Sequence, residues 1–479
     1  MNESEVLPFR IKFGWAVGEL PIAVFVVLQM AFMLFYSTEA LNIPPAIAGV
    51  ALLLPRLLDA FLDPLMGALS DRTKSELGRR RFYLLLGAPL LGLTFASVFF
   101  VPPEAPLALR VSLLMASFMA SNAAVTLYEV PYSAMAAEMT GSYKERTSLT
   151  GYKMFAARAG GVAAAFAAPI VFGSQASLAE GFRLLGLGVG GFILATGLWA
   201  FFATADAPRI EITPKRFSIR EEVAAVIENR SFCTLWIAFL LQNLAIGAAA
   251  TALIYFVTQV MAISPQQAGL FMASGGVTAL IATPIWVALG RRIGKRRGYF
   301  AGLALVAAMA VPALLLAPGQ TAILLAVLVI AGVGDAATQL FPNAMAPDTV
   351  EVDQLKSGLR REGAIFGAWG FCRKLGMTSG AFLVSLALAA IGFIPGAAPD
   401  AQPEEALSGI RLIYAVLPLG LWLATILAFS RYDLTEARFE EIKAMIRARG
   451  GALPDASAPA DDDALRSAMA RDGTQLHSR

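Results

Sequence analysis

The chain reads as a succession of long apolar runs separated by short polar joints. Such runs recur near 13–36, 46–70, 82–101, 108–138, 148–173, 181–204, 232–260, 266–289, 298–317, 320–346, 363–394 and 408–430. Each holds roughly 20 apolar residues, enough to cross the hydrocarbon core of a bilayer as a helix. The runs are continuous and do not alternate with period two, which selects helices over a barrel. The pattern predicts an all-α integral membrane fold of twelve transmembrane helices. Beyond the last run, YDLTEARFEEIKAMIRARG (432–450) spaces its apolar residues as an amphipathic helix does. The polar residues from Gly451 onward read as disordered.

The joints alternate in charge. DRTKSELGRRR (71–81), GSYKER (141–146), PRIEITPKRFSIREE (208–222), RRIGKRRG (291–298) and KSGLRRE (356–362) carry most of the Lys and Arg. STEALNIPPA (37–46), PPEAPL (102–107), GSQASLAE (173–180), VMAISPQ (260–266), APGQ (317–320) and PGAAPDAQPEEAL (395–407) carry none. Basic loops stay in the cytoplasm. Both termini and the long joint at 205–230 are therefore expected on the cytoplasmic side of the cell's inner (plasma) membrane. That joint divides the chain into a six-helix half at 1–204, a linker at 205–230, a second six-helix half at 231–431 and a cytoplasmic tail at 432–479. The halves share a pattern: Pro64 and Pro284 stand 220 residues apart, each followed by small residues and a basic loop. Two six-helix halves related by a repeat suggest alternating access around a central site.

Composition agrees with this picture. The chain is 57% hydrophobic and 15% charged, against about 25% charged in soluble domains. The two cysteines, Cys233 and Cys372, imply no disulfide framework. The single histidine, His477, lies in the tail, so proton chemistry within the spans falls to carboxylates. The first apolar run carries no cleavage-site pattern and reads as a span. No nucleic-acid partner and no cofactor are expected, only the bilayer, a small-molecule substrate and a coupling ion, with the protein acting as a monomer.

An ionisable side chain inside a span costs roughly 2.5–3.5 kcal/mol on insertion scales and needs a reason to be there. Asp59 and Asp63 stand four residues apart and so share one face of the second helix. Two close carboxylates repel unless a cation lies between them or one takes up a proton. The plainer readings are that Asp63 caps a kink at Pro64 and that Asp59 pairs with Arg56. Glu129 in the fourth helix, with Thr126 one turn before it, is a third acidic candidate for an oxygen-lined sodium or proton site. Arg158 in the fifth helix is its candidate partner, and Lys374 in the eleventh is another deep cation. Glu19 beside Gly18 and Pro21, Asp335 and Gln339 are further candidates, each equally readable as a packing residue. Asp71, Arg72, Arg79, Arg80 and Arg81 lie at the expected cytoplasmic mouth, as a gating latch or as plain topogenic charge.

The DxxxDPxxGxxxD segment with RTKSELGRRRFYLL resembles the signature of the glycoside–pentoside–hexuronide:cation symporters, a branch of the major facilitator superfamily. EVPYSAMAAEMTGSYKERTSL (129–149), APDTVEVDQLKSGLRREGAIFGAWGFCRKLG (346–376) and the GELP of the first helix are similar too. The resemblance implies the major facilitator fold and cation-coupled uptake of a sugar or glycoside. It places Asp59, Asp63 and Thr126 at the family's cation site, with sodium or a proton as coupling ion. Glu129 then serves both cation and sugar, and Lys374 links the two sites. Departures are equally specific. Leu62 stands where an Asn or Thr is common, which removes an oxygen ligand and favours a proton. The sugar-binding arginine falls at Met154, with Arg158 one turn on. The helix-one sugar carboxylate falls at Leu20, beside Glu19, and the tryptophan positions fall at Ser133 and Gln339. Two other readings stand beside sugar symport: transport of an amphiphile such as a lysophospholipid, and an intramembrane prenyltransferase. The latter needs a second DxxxD cluster, and DTVEVD (348–353) has Val352 at that spacing.

Overall fold

The computed structural model describes residues 6–140, 142–208, 227, 229–357 and 361–448, and among them every regular element is helical. Twelve rods follow in order: α1 (Phe9–Ala31), α2 (Pro45–Arg72), α3 (Arg81–Val98), α4 (Leu107–Met139), α5 (Tyr143–Phe172), α6 (Leu178–Ala203), α7 (Arg230–Tyr255), α8 (Pro265–Ile293), α9 (Lys295–Ala313), α10 (Thr321–Met345), α11 (Glu362–Ala390) and α12 (Glu404–Ser430). Ten of these segments are both long and apolar enough to cross a membrane. The other two, α9 and α11, run for 19 and 29 residues and at about 1.5 Å per residue also reach across. Leu93, Leu315 and Leu427 stand exposed at 71%, 80% and 64%. A surface this apolar belongs in hydrocarbon, not water. The protein is a multi-pass membrane protein.

The helices match the twelve apolar runs to within a few residues. α1 breaks at Gly18–Glu19, where Pro21 cannot donate to the preceding turn. The tail helix forms over Glu436–Ala448. Its Ile442, with Leu434 before it, packs on Val350 and Val352 of a short helix, Asp348–Ser357, that leads from α10 towards α11. Most of the 205–230 linker, and the stretch expected to be disordered, lie outside the described residues.

The repeat extends well beyond the two prolines. α1 and α7 each run on into a wide turn, Tyr36–Ala40 and Phe256–Val260. The chain then passes through Asn42 and Ala262, the two non-glycine residues with positive φ among the described residues, at 50° and 52°. α2 and α8 start immediately afterwards on Pro45 and Pro265. Every pair is offset by 220, so even a costly left-handed backbone position is repeated.

Packing divides the molecule by depth. One apolar core joins both halves at the end bearing the uncharged joints, with Phe35, Phe95 and Phe172 meeting Tyr255, Val257 and Phe393. Towards the basic joints the core splits into two. One part holds only residues of the first half, such as Trp15 and Tyr132. The other holds only residues of the second, such as Phe239 and Trp369. The halves are thus closed against each other at one end, and each keeps its own core at the other.

Within the second half, α11 lies almost backbone to backbone on α7. A Cβ at Gly380 would stand 2.2 Å from the Leu244 carbonyl oxygen, and one at Gly247 would stand 2.1 Å from that of Met377. Small residues permit such close approach, the usual basis of helix association in lipid. We predict that Gly380→Val destabilises the protein by about 1–3 kcal/mol through overpacking. Gly370→Ala on the same helix, with open space at its Cβ, should change little. Thermal unfolding of the two variants in detergent checks this, and equal midpoints would refute it.

Candidate functional site

Three helices from both halves converge on Asp59 and Asp63. Pro55 and Pro64 interrupt the hydrogen-bond ladder of α2 on either side of the two aspartates. Thr126 of α4 donates to Asp59 Oδ1 and lies 3.2 Å from Asp63 Oδ1. Lys374 of α11 reaches across from the other half, with its Nζ 3.1 Å from Asp59 Oδ2 and 2.6 Å from Asp63 Oδ2. Asp59 is buried, while Asp63 and Lys374 keep about a third of their side-chain surface, 30% and 32%. The plainer readings of the aspartates therefore give way. Asp63 points at a threonine and a lysine rather than at a helix end. Arg56 feels the charge of Asp59 but spends its hydrogen bonds on Gln29, on Thr378 of α11 at 2.9 Å, and on the Met30 sulfur at 3.7 Å.

Glu129 sits one turn beyond Thr126. It acts electrostatically on Lys374, Asp63 and Glu19. Among the described residues no three acidic side chains converge as ion ligands. The expected ring of Asp59, Asp63 and Glu129 as sodium ligands is therefore not assembled in this conformation. The physical reason is the lysine: its ammonium already lies between the two aspartates.

A second polar group lies on the far side of Glu129. Glu19, at the break in α1, faces Lys153 of α5 at 3.4 Å. The same ammonium donates to Ser133 Oγ at 2.9 Å and stands 5.2 Å from the centre of the Tyr132 ring. Tyr132 is fixed in turn: it stacks on Trp15 and donates to the Trp15 carbonyl at 2.8 Å. Lys153 went unremarked in the sequence because it lies near the start of a predicted span, where lysines often only mark the interface. Its neighbour Met154, expected at the site, is 59% exposed and makes no polar contact. Of the two adjacent residues, α5 turns Lys153 inward.

Arg158 does not pair with Glu129. It lies 3.8 Å from Asp335 of α10, a contact between the halves, and Gln339 is also directed at that carboxylate. At the mouth, Arg79 and Arg80 bind Glu138, Arg80 holds Asp71 at 2.9 Å and the Ala134 carbonyl, and Arg81 donates to the Phe201 carbonyl at 2.8 Å. Arg72 is exposed. Glu138 was not singled out from the sequence, although the repeat marks it. Lys295 of α9 binds the Ala344 carbonyl and Asp348, and these acceptors stand 210 residues after Ala134 and Glu138. In each half a basic residue at the start of the third helix ties down the end of the fourth.

A membrane protein of two repeated six-helix halves, with charges meeting between them at mid-depth, has the architecture of a secondary transporter. The sequence profile of the MFS/sugar transport protein family matches residues 14–436. The chain belongs to that family; it is a transporter and not an enzyme, and the prenyltransferase reading falls. It is 28% identical to an uncharacterised symporter of Synechocystis sp., over 93% of this chain and 98% of that protein. It is 27% identical to a putative glycoside/cation symporter of Escherichia coli, over 95% of this chain and 99% of that protein. Among solved structures, a bacterial homologue of the human drug peptide transporters PepT1 and PepT2 superposes with a TM-score of 0.64 at 13% identity. It covers 92% of this chain and 99% of that one, a likeness of fold.

Removing Lys374 would leave two like charges one turn apart with only Arg56 nearby, whose hydrogen bonds go elsewhere. We predict that Lys374→Met lowers the thermal midpoint in detergent markedly. Lys374→Met with Asp63→Asn should recover at least half of the loss, because removing one member of a charge pair is worse than removing both. Additive losses would show that the three groups are not coupled.

Proposed function

We propose that the protein is a cation-coupled symporter of a sugar or glycoside, working by alternating access in the inner membrane with both termini in the cytoplasm. The observation that carries the reading is that one lysine of the second half is held by two carboxylates of the first. Asp59, Asp63 and Glu129 bring three negative charges to this region, and Lys374 and Arg56 bring two positive ones. One sodium ion or one proton can take the place of the lysine ammonium at the two carboxylates.

In this reading Lys374 stands in for the coupling ion when the ion is absent. An arriving cation competes for the same oxygens, assisted by Thr126, and frees the ammonium. The lysine then turns towards Glu129, which adjoins the second polar group. Glu19, Lys153 and Ser133 form the polar wall for substrate hydroxyls, with Tyr132 as its aromatic floor. Arg158 of the first half with Asp335 and Gln339 of the second lie between the halves and complete the wall. The basic joints face the cytoplasm, so the end with separate cores is the inner one, and the molecule rests with its outer end closed. The belts at Arg79, Arg80 and Lys295 keep each half rigid as it rocks. Cation and substrate must each tighten the other's binding by the same factor.

Relatives named for glycosides and cations support sugar over lipid. Leu62, which offers no oxygen, supports a proton over sodium. Proteoliposomes given a panel of labelled glycosides and lysolipids, with sodium and proton gradients imposed separately, test the proposal. Wild type should accumulate a glycoside uphill under one gradient. Asp63→Asn should equilibrate it without accumulation, and Lys153→Met should raise KM at least about tenfold, the cost of about 1.4 kcal/mol of lost binding. Accumulation by Asp63→Asn equal to wild type would refute the cation assignment.

A further inference from the structure

The closed outer end contains a carboxyl that the transport reading does not use. The wide turn after α1 and the wide turn after α7 touch there. Glu39 belongs to the first and Gln259 to the second, 220 residues apart, so they are equivalent positions of the two halves. Gln259 Nε2 donates to Glu39 Oε2 at 3.3 Å. Next to them the hydroxyls of Thr38 and Tyr255 meet at 2.7 Å, again one from each half. The second oxygens of the pair, Glu39 Oε1 and Gln259 Oε1, are both buried, and neither accepts a hydrogen bond. Neither acceptor has a donor at hydrogen-bond geometry, although the Gly396 amide and the Thr38 hydroxyl lie close to the Glu39 carboxyl.

The surroundings offer no positive charge to a carboxylate. Among the described residues no Lys or Arg pairs with Glu39. The groups directed at it are the Thr38 hydroxyl and the backbone amide of Gly396, from the joint after α11, with the Tyr255 phenol close by. Gly396 is pressed onto the side chain of Asn42. Of the guanidiniums at this end, Arg110 donates to the Leu41 carbonyl, Arg183 bears on Tyr36, and the Nε of each is buried without an acceptor.

We infer that Glu39 is a proton-binding site of the outer gate: in the closed gate a neutral carboxyl and Gln259 form a reciprocal acid–amide pair, and opening releases the proton to the outside water. The amide N–H already serves Glu39 Oε2. A proton on Oε1 supplies the missing donor, and the Gln259 carbonyl oxygen is the acceptor without one. Burial supports this by pushing Glu39 up to about 8, against the weaker opposing pull of the Gly396 amide and the Thr38 hydroxyl. The sign follows. The closed gate holds the proton more tightly than the open, hydrated one. Closure is therefore favoured at low pH and loses that advantage as pH rises through the closed-state value. The site is separate from Asp59 and Asp63 and does not depend on their role.

The test places spin labels on Glu104→Cys and Asp400→Cys, exposed positions in outer joints of the first and second halves, in the full chain with Cys233 and Cys372 replaced by alanine. Distance distributions in lipid nanodiscs are compared at pH 6 and pH 9. The closed-to-open ratio should be at least about tenfold higher at pH 6. Glu39→Gln, which supplies the donor permanently, should stay closed at both. The exchange variant Glu39→Gln with Gln259→Glu moves the carboxyl to the equivalent position and should regain the response. Asp63 is intact in both Glu39 variants, so their responses separate this inference from the cation site. A wild-type ratio that does not change with pH, a Glu39→Gln response equal to wild type, or a flat exchange variant would each overturn the proposal.

Discussion

One ammonium shared by two carboxylates of the opposite half constrains the rest of this molecule. Asp59 and Asp63 lie where hydrocarbon surrounds the bundle, and a lone carboxylate there is expensive. Two of them one turn apart are worse, because each raises the cost of charging the other. Lys374 at 3.1 and 2.6 Å removes much of that penalty. Since the lysine is on α11 and the aspartates on α2, the relief is available only while the halves are close at that depth. Electrostatic satisfaction and the relative position of the halves therefore become one variable.

The surrounding architecture makes that variable discrete. The halves share an apolar core at one end only, and at the other each has its own. The belts at Arg79, Arg80 and Lys295 lie within a half, so they stiffen the parts that move rather than joining them. Besides the packing of α5 on α8 and of α2 on α11, polar contacts cross between the halves: Lys374 with the aspartates, Arg56 with Thr378, Arg158 with Asp335, Thr251 with the Met30 carbonyl, Thr38 with Tyr255, and Glu39 with Gln259. Polar contacts can exchange protein partners for water at modest net cost. Such contacts favour opening at the end where each half keeps its own core.

Much of this was legible in the sequence because the bilayer allows few solutions. Apolar length and loop charge led directly to twelve spans in two halves, the spacing of Asp59 and Asp63 put them on one face of the second helix, and the family resemblance joined Thr126 to them. What the sequence withheld was which way neighbouring residues turn. Lys153 and Met154 are adjacent, and only the packing of α5 decides that the lysine faces Glu19. Arg158 was legible as a deep cation but not as the partner of Asp335, because that pairing depends on how α5 crosses α10 between halves. Glu39 lay in a joint taken as a plain loop, since nothing in STEALNIPPA shows that the turn folds back into the interface. Its counterpart Gln259, at the offset already visible from Pro64 and Pro284, was the signal that could have drawn attention to it.

The central claim is that the coupling ion and the Lys374 ammonium compete for the oxygens of Asp59 and Asp63. Infrared difference spectroscopy of the purified protein in lipid, exchanging choline for sodium and separately lowering the pH, measures this directly. The account predicts that one of the two exchanges shifts carboxylate or carboxylic-acid bands, and that the shift vanishes in the Asp59→Asn, Asp63→Asn double variant. The same bands in that variant, or gradient-driven uptake by wild type with no change in them, would contradict it.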